Sequence, residues 1–335
     1  MKFQLTWIFL LICSGTLISQ DQHFSQFYNS SLNLSPGKTG VFNGDQRLNA
    51  GYRTQWRSTV PWNSFTAAYD RKFISKYCTE AKSFFSGGIL LNYDKSSQLS
   101  DMVLTNINLT GSYTALINDQ NLFTVGALLG YATRAFDENT LTWDLQWDGS
   151  IFNTGQPTGE NFDSRRVSYL ETGLGVNYRW QKSSRTQLDL GIGAYHLTTP
   201  GVGFYDEDDI SLPARYTLSA IGSFAVANKL DLQLHGLAQF QGEYDEVVIG
   251  GLGKIHVSDR PGKAVQVHLG LGYRTSEVIF PVFAIQYNNI YGSVSYDIDM
   301  TEFGDFTDTR PRALEIHIGY RITNPKRNLK VCPIY

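Results

Sequence analysis

Any chemistry in this chain would have to come from a small set of side chains. Six histidines are scattered along it, and His235, His268 and His317 fall where apolar and polar residues alternate. A histidine so placed either hydrogen-bonds within a polar interior or acts as a base beside a serine, which needs a Ser partner close in space. Asp206-Glu207-Asp208-Asp209 is the densest charge run. Carboxylate clusters bind Ca²⁺, but this run lacks the alternate spacing and central Gly of a calcium loop and reads as a solvated loop. There is no G-x-S-x-G elbow, no H-E-x-x-H and no P-loop. The G-x-G pairs, such as Gly191/Gly193 and Gly270/Gly272, lack the following helix of a nucleotide loop and instead permit close packing within strands. No catalytic, cofactor-binding or metal-ligating residue is assigned, no cofactor is expected, and the chain reads as non-enzymatic.

The elements that hold these residues repeat one pattern from Val103 to Ile322. Leu314, Ile316, Ile318, Tyr320 and Ile322 alternate with Glu315, His317, Gly319 and Arg321. Successive strand side chains point to opposite faces, so one face is charge-free and the other wet. Leu230–Gln241 and Val265–Arg274 show the same split. A strand crossing a bilayer needs roughly 9–11 residues, apolar toward lipid and polar toward a lumen. Strands are expected at 45–57, 63–74, 84–94, 103–117, 120–134, 165–180, 186–198, 212–227, 229–241, 245–258, 263–275, 278–288, 289–300 and 310–323. The fold class is therefore all-β: an antiparallel up-and-down outer-membrane β-barrel of about 14 strands, an even number as such barrels require.

Connection lengths orient it. Outer-membrane barrels have short periplasmic turns and longer outer loops. With the chain starting in the periplasm, the tight turns Asn118-Asp119, Asn228-Lys229 and Asn288-Asn289 follow even strands, using residues that accept positive φ. The long connections 135–164, 199–211 and 301–309 follow odd strands. The sorting is imperfect, because 275–277 is short and 75–83 is long.

Residues 1–19 read as a secretory signal: Lys2, an apolar run centred on Trp7–Ile12, then small and polar residues up to Ser19. The mature chain has no run of 18 apolar residues and no transmembrane helix. Tyr 19 and Phe 20 make a heavy aromatic load, suited to strands and to membrane-interface girdles. A net charge of −3 gives no basic face for nucleic acid. Residues 20–44 form a polar segment that either fills the lumen or meets periplasmic partners, 45–323 the barrel, and 324–335 a periplasmic tail. Within that tail Lys326, Arg327 and Lys330 either bind an acidic partner or flank the last strand with positive charge. Cys78 and Cys332, the cysteines left after signal removal, both fall on the oxidising periplasmic side and are a candidate disulfide. The loop 135–164 carries Trp143, Asp144, Trp147, Asp148, Phe152 and Phe162. It is either a contact surface for cargo or an inward-folding plug.

Residues at both ends resemble a known family. Asp21-Gln-His-Phe-Ser-Gln-Phe-Tyr28, Leu34-Ser-Pro-Gly-Lys-Thr-Gly40, Gly44-Asp45, Tyr52-Arg53-Thr-Gln55-Trp56-Arg57 and Ser64-Phe65-Thr-Ala-Ala-Tyr69-Asp70 are similar to the opening of PorP/SprF-like proteins. Gly292-Ser-Val-Ser-Tyr296-Asp297 and Ala313-Leu-Glu315-Ile-His-Ile-Gly-Tyr320 resemble their last two strands, while Ser35 stands where the family has Asn. The resemblance covers essentially the whole mature chain. It implies an outer-membrane component of the type IX secretion system of Bacteroidetes, without catalytic residues, that supports secretion and surface attachment of large cargo such as gliding adhesins. The partners it implies are outer-membrane lipid, an adhesin-like secreted cargo and other secretion components. The alternative is a passive porin or small-solute transporter, which shares the barrel but needs an open lumen.

Overall fold

Alternating segments without helical crossovers pair most simply each with the next, and fourteen of them close on themselves. The computed structural model describes residues 21–56, 61–73, 82–96, 102–137, 141, 143–160, 162, 164–205, 210–301 and 312–323. The strands are β1 (Gln46–Gln55), β2 (Trp62–Phe73), β3 (Ser83–Ser96), β4 (Val103–Asn118), β5 (Asn121–Ala135), β6 (Arg166–Gln181) and β7 (Gln187–Tyr195). They continue as β8 (Arg215–Ala227), β9 (Leu230–Gln241), β10 (Tyr244–Arg260), β11 (Lys263–Arg274), β12 (Val278–Tyr287), β13 (Ile290–Asp299) and β14 (Arg312–Ile322). Each is antiparallel to its neighbours, and β1 pairs with β14 from Gln46↔Ile322 to Gln55↔Ala313. Closure leaves no strand edge, so the ladder satisfies the backbone polar groups that lipid cannot. No helix among the described residues is long and apolar enough to cross a membrane; the crossing is made by strands.

The burial pattern is that of a soluble core turned inside out. On β4, Asn106, Asn108, Thr110, Ser112 and Thr114 are buried, while Ile107, Leu109 and Tyr113 are exposed. On β14, Glu315 and His317 are buried and Ile316, Ile318 and Tyr320 exposed. The exposed aliphatic band gains its burial from lipid. Much of the polar face is dry despite its composition, because a segment of the chain itself occupies the lumen. On β12 both faces are apolar: Phe280 and Val282 are buried inside, and Phe283 and Ile285 face outward.

The connections refine the parity pattern. Turns 119–120, 228–229, 261–262 and 288–289 are tight and share one end of the barrel with 182–186. The opposite end carries 136–165 and 196–214, but also the short turns 242–243 and 275–277. Only part of the expected turn chemistry holds. Asn288 does adopt positive φ, at 51°, as does Gly262 at 72°. At Asn118 the side-chain Oδ1 instead accepts the Gln120 N–H at 3.0 Å, and a bulge between Leu116 and Asn118 absorbs the twist. β7 ends at Tyr195, short of the expected 198, because His196 and Thr199 take φ of 54° and 41° and leave the ladder.

The lipid face yields a test. Leu109 lies near the middle of β4, so Leu109→Arg should destabilise the barrel by about 2–4 kcal/mol, read by urea unfolding from vesicles. Leu109→Phe should leave it within about 1.5 kcal/mol of the parent.

Candidate functional site

The described part of the N-terminal segment runs the length of the lumen. Asp21 and Gln22 meet residues at the long-loop end, and Asn43 bonds Gln187 beside the short turns. Between them lie two single-turn helical pieces and a short α-helical turn, Ser31–Leu34. Phe24, Ser25, Gln26, Phe27, Leu32, Leu34, Thr39 and Phe42 are all buried. Such short pieces are marginal alone; they hold their shape because the barrel wall satisfies their backbone and side chains.

The central anchor is ionic. Arg53 on β1 reaches Asp297 on β13 at 2.8 Å and Glu315 on β14 at 3.0 Å, each side chain almost wholly buried. Glu315 accepts the Ser25 and Gln26 backbone N–H groups, both at 2.8 Å, and pairs with His317 at 2.8 Å. Ser25 Oγ donates to Asp297 at 2.8 Å and accepts from Arg53 at 2.8 Å and Arg274 at 2.7 Å. Gln26 Oε1 accepts from Ser293 at 2.6 Å, and its Nε2 donates to Ser295 at 2.9 Å. Every charge here has a partner, as burial demands.

A second anchor sits at the long-loop end. Asp21 Oδ2 lies 2.6 Å from His196 Nε2 and 3.2 Å from Arg215 Nε, and His196 Nδ1 lies 2.6 Å from Glu171 Oε2. Burial raises the Asp21 carboxyl, but His196 and Arg215 overcome it and hold it well below the usual carboxylate range. Burial lowers the His196 imidazole, yet Asp21 and Glu171 push it up to about 9.

The third anchor is at the short-turn end. Arg47 grips Asp70 bidentately at 2.9 and 2.8 Å, donates to Ser31 Oγ at 3.0 Å, and stacks on Phe42 at 4.6 Å. Asp70 also accepts the Gly40 N–H at 2.7 Å. Arg179 pairs with Asp189 at 2.7 Å and donates to the Val41 carbonyl at 3.3 Å.

Between anchors the segment packs on a shelf of glycine. Gly126, Gly175 and Gly193 align across β5, β6 and β7 as direct register partners. A Cβ on Gly126 would overlap the Pro36 carbonyl, on Gly175 Ser35 Oγ, and on Gly193 the Leu34 carbonyl. The turn Leu34-Ser35-Pro36-Gly37 can therefore lie against bare backbone. Apolar patches flank the shelf. Phe27 and Leu34 enter a cluster of Leu237, Val248, Leu252, Phe280 and Val282, while Leu32 packs with Leu90, Leu128 and Tyr195.

Two cavities flank the segment. One of about 240 Å³ opens at the short-turn end and is lined by Lys38, Arg47, Arg179, Arg185, Lys254 and Arg321 among others. The other, about 30 Å³, lies beside Asp21 and His196. Burial pushes the Lys38 ammonium at the edge of the larger cavity down to about 8, against the pull of Asp189.

At the long-loop end, Phe136, Phe162, Phe204 and Tyr205 form an aromatic stack with centroid spacings of 4.7–4.9 Å. Trp143 joins through Phe162 at 5.5 Å. The structure thus divides the six loop residues singled out in the sequence. Trp143 and Phe162 tie the two long connections together. Asp148 shapes a turn by accepting the Ser150 and Ile151 N–H groups, both at 2.9 Å. Asp144 opens a single helical turn, Asp144–Gln146. Trp147 and Phe152 pair at 5.0 Å on an exposed tip with Leu145 and Ile151. Among the described residues, the loop side chains bond and stack with one another and with Phe204 and Tyr205, while the lumenal contacts above are made by the N-terminal segment.

The histidines meet partners other than serine: no Ser–His hydrogen bond forms among the described residues. His317 bonds Glu315 at 2.8 Å and His268 bonds Gln266 at 3.3 Å. His235 departs from the expected hydrogen-bonding role. Neither ring nitrogen has a partner, and the ring packs against Phe27 and Tyr28 at 5.4 and 4.4 Å. Cys78, Cys332, Lys326, Arg327, Lys330, residues 206–209 and the signal residues 1–19 lie outside the described residues.

Sequence reasoning missed the anchors. Ser25, Gln26, Arg53, Asp297 and Glu315 were noted only as parts of motifs, yet they meet in space across separations of up to 290 residues, and Asp70, likewise noted, anchors Gly40 at the other end. The available signal was charge: Arg53, Asp297 and Glu315 stand on inward positions that are otherwise mostly neutral.

Comparison with known proteins agrees with this architecture. A family model described as "Type IX secretion system membrane protein PorP/SprF" matches residues 16–320. No curated protein gives a significant match. Among solved structures, a mutant of the TodX monoaromatic hydrocarbon channel is similar at TM-score 0.52 and 10% identity, covering 87% of this chain and 93% of that one. The CymD monoaromatic hydrocarbon channel gives 0.51 and 9%, covering 88% and 93%. The toluene transporter TbuX of Ralstonia pickettii gives 0.49 and 10%, covering 88% and 94%. For the TodX mutant and CymD, at these identities, the likeness is one of fold.

Two predictions follow from the seated segment. Gly175→Leu should unseat the Ser35–Gly37 turn while the barrel still closes. Protease cleavage within residues 30–40 should rise at least about tenfold, since local opening governs cutting. The outer anchor should also respond to alkali. The raised His196 stabilises fully below about pH 6.5, and its contribution is lost as pH rises through about 9. The depressed Asp21 stabilises above about pH 4 and is lost only in acid. A spin label at Gln22→Cys, with Cys78 and Cys332 replaced by Ser, should therefore be immobile at neutral pH and loosen through about pH 9. In His196→Phe it should be loose throughout.

Proposed function

Because the chain belongs to the PorP/SprF family and is a non-enzymatic outer-membrane component of the type IX secretion system, we propose that it is a scaffold at which one large secreted cargo protein is passed to, and held at, the cell surface. The observation that carries this reading is the occupied lumen. A passive pore needs a continuous water path, whereas here residues 21–42 are bonded to the wall at three levels. That arrangement suits a docking body with two distinct ends.

The long-loop end is the outer one in this reading. It carries the exposed cluster Leu145, Trp147, Ile151 and Phe152, each about half exposed or more. Exposed aromatic and aliphatic side chains on a loop held by a rigid base suit protein contact. The Phe136–Phe162–Phe204 stack supplies the base. The short-turn end then faces the periplasm, as does the chain after β14, where other secretion components reach it. Residues 1–19 act as the secretory signal that delivers the chain to that side, and 324–335 form a periplasmic tail.

The test is surface proteomics of a deletion strain complemented in two ways. The wild-type chain should restore one or a few large surface proteins. A chain with residues 145–152 replaced by a Gly/Ser linker should assemble in the outer membrane in normal amount and fail to restore them. Full restoration by that variant would remove the tip from cargo contact. An unchanged surface in the deletion strain would remove the cargo role.

A further inference from the structure

The larger cavity holds more positive charge than the wall neutralises. Of its six lining Lys and Arg residues, Arg47, Arg179 and Arg185 pair with Asp70, Asp189 and Asp231 at 2.6–2.8 Å. Lys38, Lys254 and Arg321 line the same space and make no ion pair among the described residues. Lys254 stands opposite Asp231 in the ladder, but that carboxylate is taken by Arg185 at 2.6 Å and His256 at 2.8 Å, leaving the ammonium only Ser223 Oγ at 3.3 Å. Arg321 on β14 stands directly opposite Arg47 on β1. Like charges facing each other across a ladder are destabilising. Lys38 is almost wholly buried, where an uncompensated ammonium is costly.

Three unpaired cations on three walls of one open chamber call for a negative ligand. Their placement and the rest of the lining say which kind. Lys38 sits on the lumenal segment, Lys254 on β10 and Arg321 on β14, so the three cations reach the cavity from three separate elements. An extended ligand with several separate carboxylates serves all three better than one compact anion. The rest of the lining suits a polypeptide: Asn49, Gln233, Gln266 and Gln286 offer amides to a backbone, and Tyr28 and Ile221 offer apolar contact.

We infer that this cavity is a docking site for an acidic peptide segment of a periplasmic partner protein. The periplasmic placement rests on the orientation proposed above; the binding itself does not. The lumenal segment forms one wall through Lys38, so occupancy at this end bears on the same residues that fill the barrel.

The test uses the purified full chain in nanodiscs of uncharged lipid, with fluorescein-labelled hexaglutamate as probe and hexaglutamine as control. Hexaglutamate should bind, weaken steeply with salt, and far outcompete hexaglutamine. Lys254→Gln and Arg321→Gln should each weaken it by about tenfold or more, the loss of one charge-assisted contact. Arg321→Glu should abolish binding yet raise the melting temperature, because it replaces a like-charge pair with an ion pair beside Arg47. That rise separates a lost ligand contact from a damaged fold, and Lys254→Gln carries the same test on a different strand. Equal binding of both peptides, or undiminished binding by the Lys254→Gln/Arg321→Gln double variant, would overturn the proposal. So would inorganic pyrophosphate binding more tightly than hexaglutamate, which would mark a small-anion site. Peptide binding is read on purified protein and cargo display in cells, so either can fail without the other.

Discussion

One buried guanidinium holds the structure together. Arg53 extends from the first strand, Glu315 from the last and Asp297 from the strand before it, and their pairing crosses the seam where β1 meets β14. The same carboxylates take the backbone and hydroxyl of Ser25 and the backbone of Gln26. A charge this deep is tolerated only with its hydrogen-bonding capacity filled, and removing one partner strands the others at a cost of about 3–5 kcal/mol. Barrel closure and seating of the N-terminal segment are thus not independent. The ions that stitch the seam are satisfied only when the segment is in place.

The other contacts extend from that node. An aligned row of three glycines lets the Ser35–Gly37 turn approach the wall, and two apolar patches receive Phe27, Leu34 and Leu32. Ion pairs at both mouths fix the ends. This graded attachment gives a rigid body with two unlike faces: an aromatic-based platform of long connections at one end, and a chamber with surplus positive charge at the other. Rigidity matters for a docking role, because a loop presented from a fixed base loses less entropy on binding than one that must first be ordered.

The strands were legible because a bilayer enforces a strict period of two. Every expected strand is present, with its apolar set outward, and ends moved by only a few residues. The largest end shifts are at the end of β7 and the start of β8, and the first comes from the positive φ of His196 and Thr199, which side-chain alternation cannot signal. Turn location was legible and turn mechanism less so: Asn118 folds its turn through its side chain rather than through positive φ. The lumen was the illegible part. Polar inward positions suggest water, yet Gln26, Glu315 and His317 are almost fully buried against each other. His235 reads as a hydrogen-bonding residue from its position, but becomes an aromatic packing partner because Phe27 and Tyr28 arrive from more than 200 residues away. Contacts at such separations leave no local pattern. Their one trace was the pairing of motifs at the two ends of the chain, which the folded protein brings face to face.

The central claim is that the lumen is closed by the protein's own N-terminal segment, held by the Arg53 node. The most direct measurement is ion conductance of the purified full chain in planar lipid bilayers, beside an Arg53→Met variant. The account predicts no stable conductance steps for the parent and steps for Arg53→Met, whose segment has lost its central anchor. Sustained open conductance in the parent would contradict it and move the protein to the class of pores.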